Sequence, residues 1–212
     1  MSEAPDFRTS SDLSGIFMNA PKPLRFTRAD YHRIGEAGVL PPAARVELIF
    51  GEIIQMSPKG VAHEACLRTL LRQLFSLVDQ NYTIGCQSPI TIGDSSEPEP
   101  DVSIAFGSES TFESRHPVGH EVLLAIEIAD STLYFDKTTK AALYAEAQIA
   151  NYWIFNLINH CVESRRQPER KVDGSWHYAK AQIYSAIDQL PLPLSHSKST
   201  LEVVLDLSKI SL

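Results

Sequence analysis

The chain has 212 residues, 43% of them hydrophobic and 21% charged, and a formal net charge of −7. This length forms one sizeable core without forcing two, and the composition excludes a disordered or fibrous chain. No apolar stretch approaches the roughly 20 residues of a membrane-spanning helix, and the acidic total argues against a protein that grips nucleic acid by bulk charge alone.

Residues 1 to about 24 are polar and contain Pro5, Pro21 and Pro23. They predict a flexible N-terminal arm ahead of a single domain over 25–212. The opening Met-Ser-Glu-Ala-Pro-Asp has neither a basic nor an apolar signal region, so a cytoplasmic protein is expected. Cys66, Cys86 and Cys161 are odd in number and far apart, which predicts reduced core thiols. Thr27-Arg-Ala-Asp30 has the spacing of a capping box and predicts a short helix ending by Gly38. Arg45–Phe50 and Gly51–Met56 read as a hairpin turning near Gly51, followed by a loop over Ser57–Gly60. Leu67, Leu70, Leu71, Leu74, Phe75 and Val78 recur three and four apart, as one face of a helix does. Tyr82–Ile92 reads as a strand, with Pro89 pointing to an edge or a bulge. Further strands are predicted at Asp101–Phe106, Val122–Ala129 and Asn151–Phe155, and near Val162, Trp176–Tyr184 and Leu201–Leu205. Thr111–Gly119 reads as loop and Phe135–Gln148 as helix. The order predicts an α/β or α+β domain, a central mixed β-sheet flanked by helices.

Two acids stand out. Asp101 opens a short apolar strand after Pro100, and Glu127 lies inside a second. A bare carboxylate in a buried strand is costly unless something pairs with it. Two of them on adjacent strands, with a lysine on the next helix, suggest a site for a divalent metal and a phosphodiester. Mg²⁺ takes one or two carboxylates plus water and phosphate, which makes Asp101 and Glu127 the expected metal ligands. Lys140 lies four residues before Tyr144 and seven before Ala147, on an inward helical face that needs an anion. It would orient water or stabilise charge on the phosphate, and a methionine in its place is expected to keep the fold. Lys137, on the same face, is the runner-up, with Asp136 as its partner. Glu47 reads as a third acidic group or as a cross-strand partner of a basic residue. His63 would touch a phosphate, hydrogen-bond an acid, or serve structure alone. Asp130 would cap a loop or bind metal through water. Repulsion within the metal-free cluster predicts that Asp101→Asn raises the metal-free melting temperature. Arg165, Arg166, Arg170 and Lys171 form a basic strip or a solvated hairpin turn. Tyr152 and Trp153 read as core. The chain has no Gly-rich phosphate loop, GxSxG, HExxH or Cys/His zinc spacing.

Glu47-Leu-Ile-x-Gly51-Glu52 and Met56-Ser-Pro58 with His63 resemble the opening of the Uma-two family of restriction endonucleases. Ser96-Glu-Pro-Glu-Pro-Asp101 is similar to its next block. Glu127-Ile-Ala-Asp130-Ser-Thr132, Asp136-Lys137-x-x-Lys140-x-x-x-Tyr144 and Tyr152-Trp153 resemble its third. Order and spacing are kept over roughly residues 25–185. The resemblance implies the restriction-endonuclease-like fold of PD-(D/E)XK nucleases and an oligomeric endonuclease dependent on Mg²⁺ or Mn²⁺ and acting on DNA; cutting both strands by two sites related by a two-fold axis makes a homodimer the expected assembly. The superfamily places lysine two residues after the second acid. Ala129 stands there in this chain, and in the Uma-two pattern the lysine has moved to the next helix, at Lys140. The alternative is a non-catalytic nucleic-acid-binding or regulatory protein that keeps the fold without cutting.

Overall fold

The computed structural model describes residues 22–41, 44–194 and 203–212. Nearly all of the expected N-terminal arm, and the start of the expected Leu201 strand, lie outside these residues. Helix α1 (Arg28–Glu36) starts as its sequence requires. The Thr27 hydroxyl accepts the Asp30 N–H at 3.1 Å and the Asp30 carboxylate accepts the Thr27 N–H at 3.0 Å. Strands β1 (Val46–Ile49) and β2 (Glu52–Gln55) form a separate antiparallel hairpin. Its two turn residues, Phe50 and Gly51, have φ of 49° and 78°, the backbone hand that matches the twist of a tight hairpin. Helix α2 (Val61–Leu77) begins six residues before the leucine stripe. His63 and Cys66 extend that buried stripe at helical spacing.

The main sheet has six strands in the order β3-β4-β5-β6-β7-β8. They are β3 (Tyr82–Cys86), β4 (Val102–Phe106), β5 (Val122–Ala129), β6 (Asn151–Asn156), β7 (Cys161–Arg170) and β8 (Trp176–Ser185). Only β5 and β6 pair in parallel. A parallel pair needs a crossover, and the helical segment α3 supplies it. It consists of Leu133–Phe135, a π-helical turn over Asp136–Lys140, and Ala141–Glu146. Strands β9 (Gln189–Pro191) and β10 (Val204–Asp206) form a second small pair. The mixed sheet flanked by helices is the architecture expected.

Strand β5 divides its side chains between two cores. Leu124, Ile126 and Ile128 join the leucines of α2, while Ala125 and Ala129 face Tyr144 and Ala145 of α3. Glu127 alternates with those two alanines, and so points to the α3 side. Trp153 and Tyr152 fall in the first and second core respectively, as expected.

Two expectations differ, and two open alternatives are narrowed. Strand β3 ends at Cys86 rather than Ile92, because Gln87 takes φ of 49° and Pro89 lacks an N–H for the ladder. All three thiols are free, but only Cys66 is in the core; Cys86 is exposed. Of the two readings for Arg165, Arg166, Arg170 and Lys171, the hairpin is the one observed: they lie on β7 and its turn into β8, and Arg165 turns inward and donates to the Lys137 carbonyl at 2.8 Å, so the four do not form one cationic surface. Asp130 is exposed and caps nothing among the described residues, but it lines the same cleft as Asp101 and Glu127. No helix there is long and apolar enough to cross a membrane.

Candidate active site

The antiparallel register pairs Val102 with Ile126. One step further, Asp101 stands across from Glu127, at the ends of adjacent strands. Both line one cleft of about 50 Å³, together with Glu47, Lys59, His63 and Asp136. That is room for a few waters or a hydrated ion, since one water needs about 10–15 Å³ on this measure.

Asp101 is buried and its two oxygens are unequally held. Oδ2 accepts the Ile128 N–H at 2.9 Å and lies 2.9 Å from Nε2 of His63. Oδ1 accepts only Nζ of Lys59, at 3.0 Å. Burial alone would raise this carboxyl's pKa, but His63, Lys59 and the Ile128 N–H together hold it below the usual carboxylate range. Against an ionised Asp101, the proton of the His63 ring sits on Nε2. Nδ1 then has no hydrogen-bond partner, and the Glu64 carboxylate is its nearest charge, at 4.0 Å.

Lys140 has no exposed surface. Its Nζ donates to Glu47 Oε2, and to Glu127 Oε1 at 3.1 Å. Tyr144, one turn on, donates its hydroxyl to the same Glu127 oxygen at 2.6 Å. Burial works against the Lys140 charge, but Glu127 and Glu47 more than offset it and raise its pKa. Glu127 is pushed up to about 8, first by burial and then by Asp136, Asp101 and Glu47, with Lys140 opposing. Asp136 rises to about 6, again mainly by burial, against the hydrogen bond from Thr132. Glu99 is raised by burial and by Glu47. The upward shift of Glu127 favours its neutral form, which leaves Glu47 as the principal counter-charge of Lys140. Glu127 Oε2 makes no hydrogen bond among the described residues.

The structure thus brings Asp101, Glu127, Lys140, Glu47 and His63 together. Glu47 pairs with Lys140 rather than with a basic residue across its hairpin, where Ile54 sits. Lys137 is the correction: its partner is Glu163 on β7, at 2.7 Å, and not Asp136. The π turn widens the helix between the two lysines, which sends Lys137 toward β7 and Lys140 into the acids. Lys59 and Glu99 join the site without a signal in the sequence, and Asp136 lines the cleft instead of pairing with Lys137, while Tyr144 adds a hydrogen bond to Glu127. The spacing of Tyr144 from Lys140 carried a signal for the tyrosine; nothing local marks Lys59. Among the described residues no group of three or more His, Cys, Asp or Glu side chains is already arranged as a metal cluster. The strand-end acids are paired with lysines instead.

These shifts give a pH dependence with a definite sign. Glu127 and Asp136 have folded pKa values of about 8 and 6 against ordinary values of 4.5 and 3.8. A folded pKa above the unfolded one contributes stability that is complete below the unfolded value and is lost as pH rises through the folded one. Melting temperature should therefore fall between about pH 4 and pH 8. Glu127→Gln should flatten the part of that fall above about pH 6. Parallel slopes in the two proteins would mean that Glu127 ionises normally.

A family model described as "Uma2: Putative restriction endonuclease" matches residues 28–204. Among solved structures, a protein from Anabaena variabilis ATCC 29413, described as a putative nuclease belonging to DUF820, superposes with a TM-score of 0.63 at 18% identity. The match covers 88% of this chain and 97% of that one, and the two share a fold. No curated protein matches the chain.

Proposed function

The chain belongs to the Uma2 family, and on that premise we propose that it is a metal-dependent endonuclease that hydrolyses phosphodiester bonds in DNA. One observation carries the reading: Asp101, just before β4, stands across from Glu127 on the adjacent β5, both line one cleft, and both sit beside a lysine with no exposed surface. The donor set fits Mg²⁺ or Mn²⁺, because it consists of hard carboxylate oxygens and Glu127 Oε2 has no protein partner. Asp101 and Glu127 would hold the cation, with Glu47 adjoining. When bound, the cation supplies Lewis-acid charge to the phosphate oxygens and acidifies water.

The chain's own residues do the rest. His63 and the Ile128 N–H fix the Asp101 carboxylate. Lys140 cannot reach a substrate from its buried position, so it acts by holding Glu47 and Glu127 in place. Tyr144 holds Glu127 from the other side. The proton that Glu127 retains up to about pH 8 is the one a bound cation would displace, since a cation favours the carboxylate.

The non-cutting alternative has its own support. The acids already carry lysine partners, and the net charge is −7. Supercoiled plasmid incubated with the protein and Mn²⁺ separates the two readings. Cutting should need the metal and stop with a chelator. Two copies related by a two-fold axis would place one site on each strand, so linear product should appear alongside nicked circles. Unbroken plasmid at every metal concentration would rule out the nuclease and leave the alternative.

A further inference from the structure

The two cleft lysines differ in kind. Lys140 has no exposed surface and is held by two carboxylates on rigid elements. The Lys59 side chain is 13% exposed and has a single partner, Asp101 Oδ1. It reaches that oxygen from the loop between β2 and α2, where Ser57, Pro58 and Gly60 are all exposed. Gly60, the N-cap of α2, offers no side-chain cap, and neither Pro58 nor Lys59 makes a backbone hydrogen bond. The loop is anchored at its ends, where the Ser57 carbonyl accepts Arg45 Nη1 at 3.0 Å and the Gly60 carbonyl accepts the Glu64 N–H at 3.1 Å, but Lys59 is held only through its side chain, whereas the groups on Asp101 Oδ2 belong to a helix and a sheet.

We infer that Lys59 is an exchangeable partner of Asp101, holding its Oδ1 until a divalent cation takes that oxygen and then contacting a phosphate of the nucleic acid in the same cleft. An ammonium and a divalent cation cannot share one carboxylate oxygen without strong repulsion. Of the two, the lysine is the one with a flexible stem and a route to solvent. Lys140 is sealed off, so the ammonium available to a phosphate at this cleft is that of Lys59; Arg45 adds a guanidinium on the same lining.

The inference rests on the metal-dependent reading, and the test separates the two. Mn²⁺ binding to the full chain is measured by calorimetry. Duplex binding is measured by fluorescence anisotropy in Ca²⁺ over a range of salt. Lys59→Met and Lys59→Gln should each bind Mn²⁺ about tenfold more tightly, since a competing charge is gone. Both should bind duplex more weakly, with the slope of log affinity against log salt reduced by about 1, the loss of one phosphate contact. Lys59→Arg should restore the slope. A merely structural lysine would weaken both kinds of binding or neither. Unchanged or weaker Mn²⁺ binding in variants that melt like wild type overturns the exchange, as does an unchanged salt slope. If wild type itself binds no Mn²⁺, the metal-dependent reading fails and the exchange fails with it.

Discussion

Lys140→Met is expected to lower the folding free energy by about 3–5 kcal/mol, the usual loss when one partner of a buried ion pair is removed. The sequence alone suggests a substitution that keeps the fold. The structure places this lysine at 0% exposure between Glu47 and Glu127. Glu127 can accommodate the loss, since its pKa of about 8 leaves it neutral at pH 7. Glu47 cannot, as it loses its one cationic partner at 3% exposure. The damage should therefore be concentrated on Glu47. The double variant Lys140→Met/Glu47→Gln should recover much of it, because a neutral amide needs no counter-charge. Urea unfolding followed by circular dichroism measures both. The single variant should also lose more at about pH 9 than at pH 6, where Glu127 is still protonated. A loss below about 1 kcal/mol, in the range of an exposed pair, would mean that Lys140 is not the counter-ion of a closed cluster.

Asp101→Asn is expected to reduce Mn²⁺-dependent plasmid cutting by about 10²-fold or more, as the loss of a group stabilising transition-state charge does. It should also lower the metal-free melting temperature. Repulsion among bare acids predicts the opposite sign, but Asp101 is not bare: Lys59, His63 and the Ile128 N–H all bind it. Asparagine keeps an acceptor for the N–H but no charge for the Lys59 ammonium or for Nε2 of His63. The charged hydrogen bonds lost are worth about 1.5–3 kcal/mol each at most. The pKa of Asp101 is depressed in the folded state. Its contribution is therefore present above the ordinary value of 3.8 and is lost as pH falls through the folded one. The gap between wild type and variant should be widest near neutral pH and close in acid. A variant that melts higher than wild type without metal would restore the repulsion picture.

The elements that govern the site were largely legible because each carries a local signal. The Thr27–Asp30 box, the leucine stripe of α2 and the alternation of β5 are written within a few residues. Asp101 and Glu127 stood out because acids are rare in apolar strands. The pairings were not legible. Glu47 and Lys140 are 93 positions apart, and no periodicity links them. The helix assumed for residues 135–148 hid its π turn, so Lys137 and Lys140 were placed on one face when they part toward β7 and the acids. Lys59 was read as part of a loop. Loop sequence shows that a segment is mobile or polar, but not that one side chain turns back into a cleft.

The 93-residue separation between Glu47 and Lys140 also bears on biosynthesis. A chain leaving the ribosome presents Glu47, Asp101 and Glu127 in turn before the lysine that two of them share has been made. Any fragment ended before residue 140 has these acids without that counter-ion, and cannot seal them at the cost the finished protein bears. The cluster therefore closes only after the crossover between β5 and β6 has been synthesised, with about two thirds of the 212 residues made.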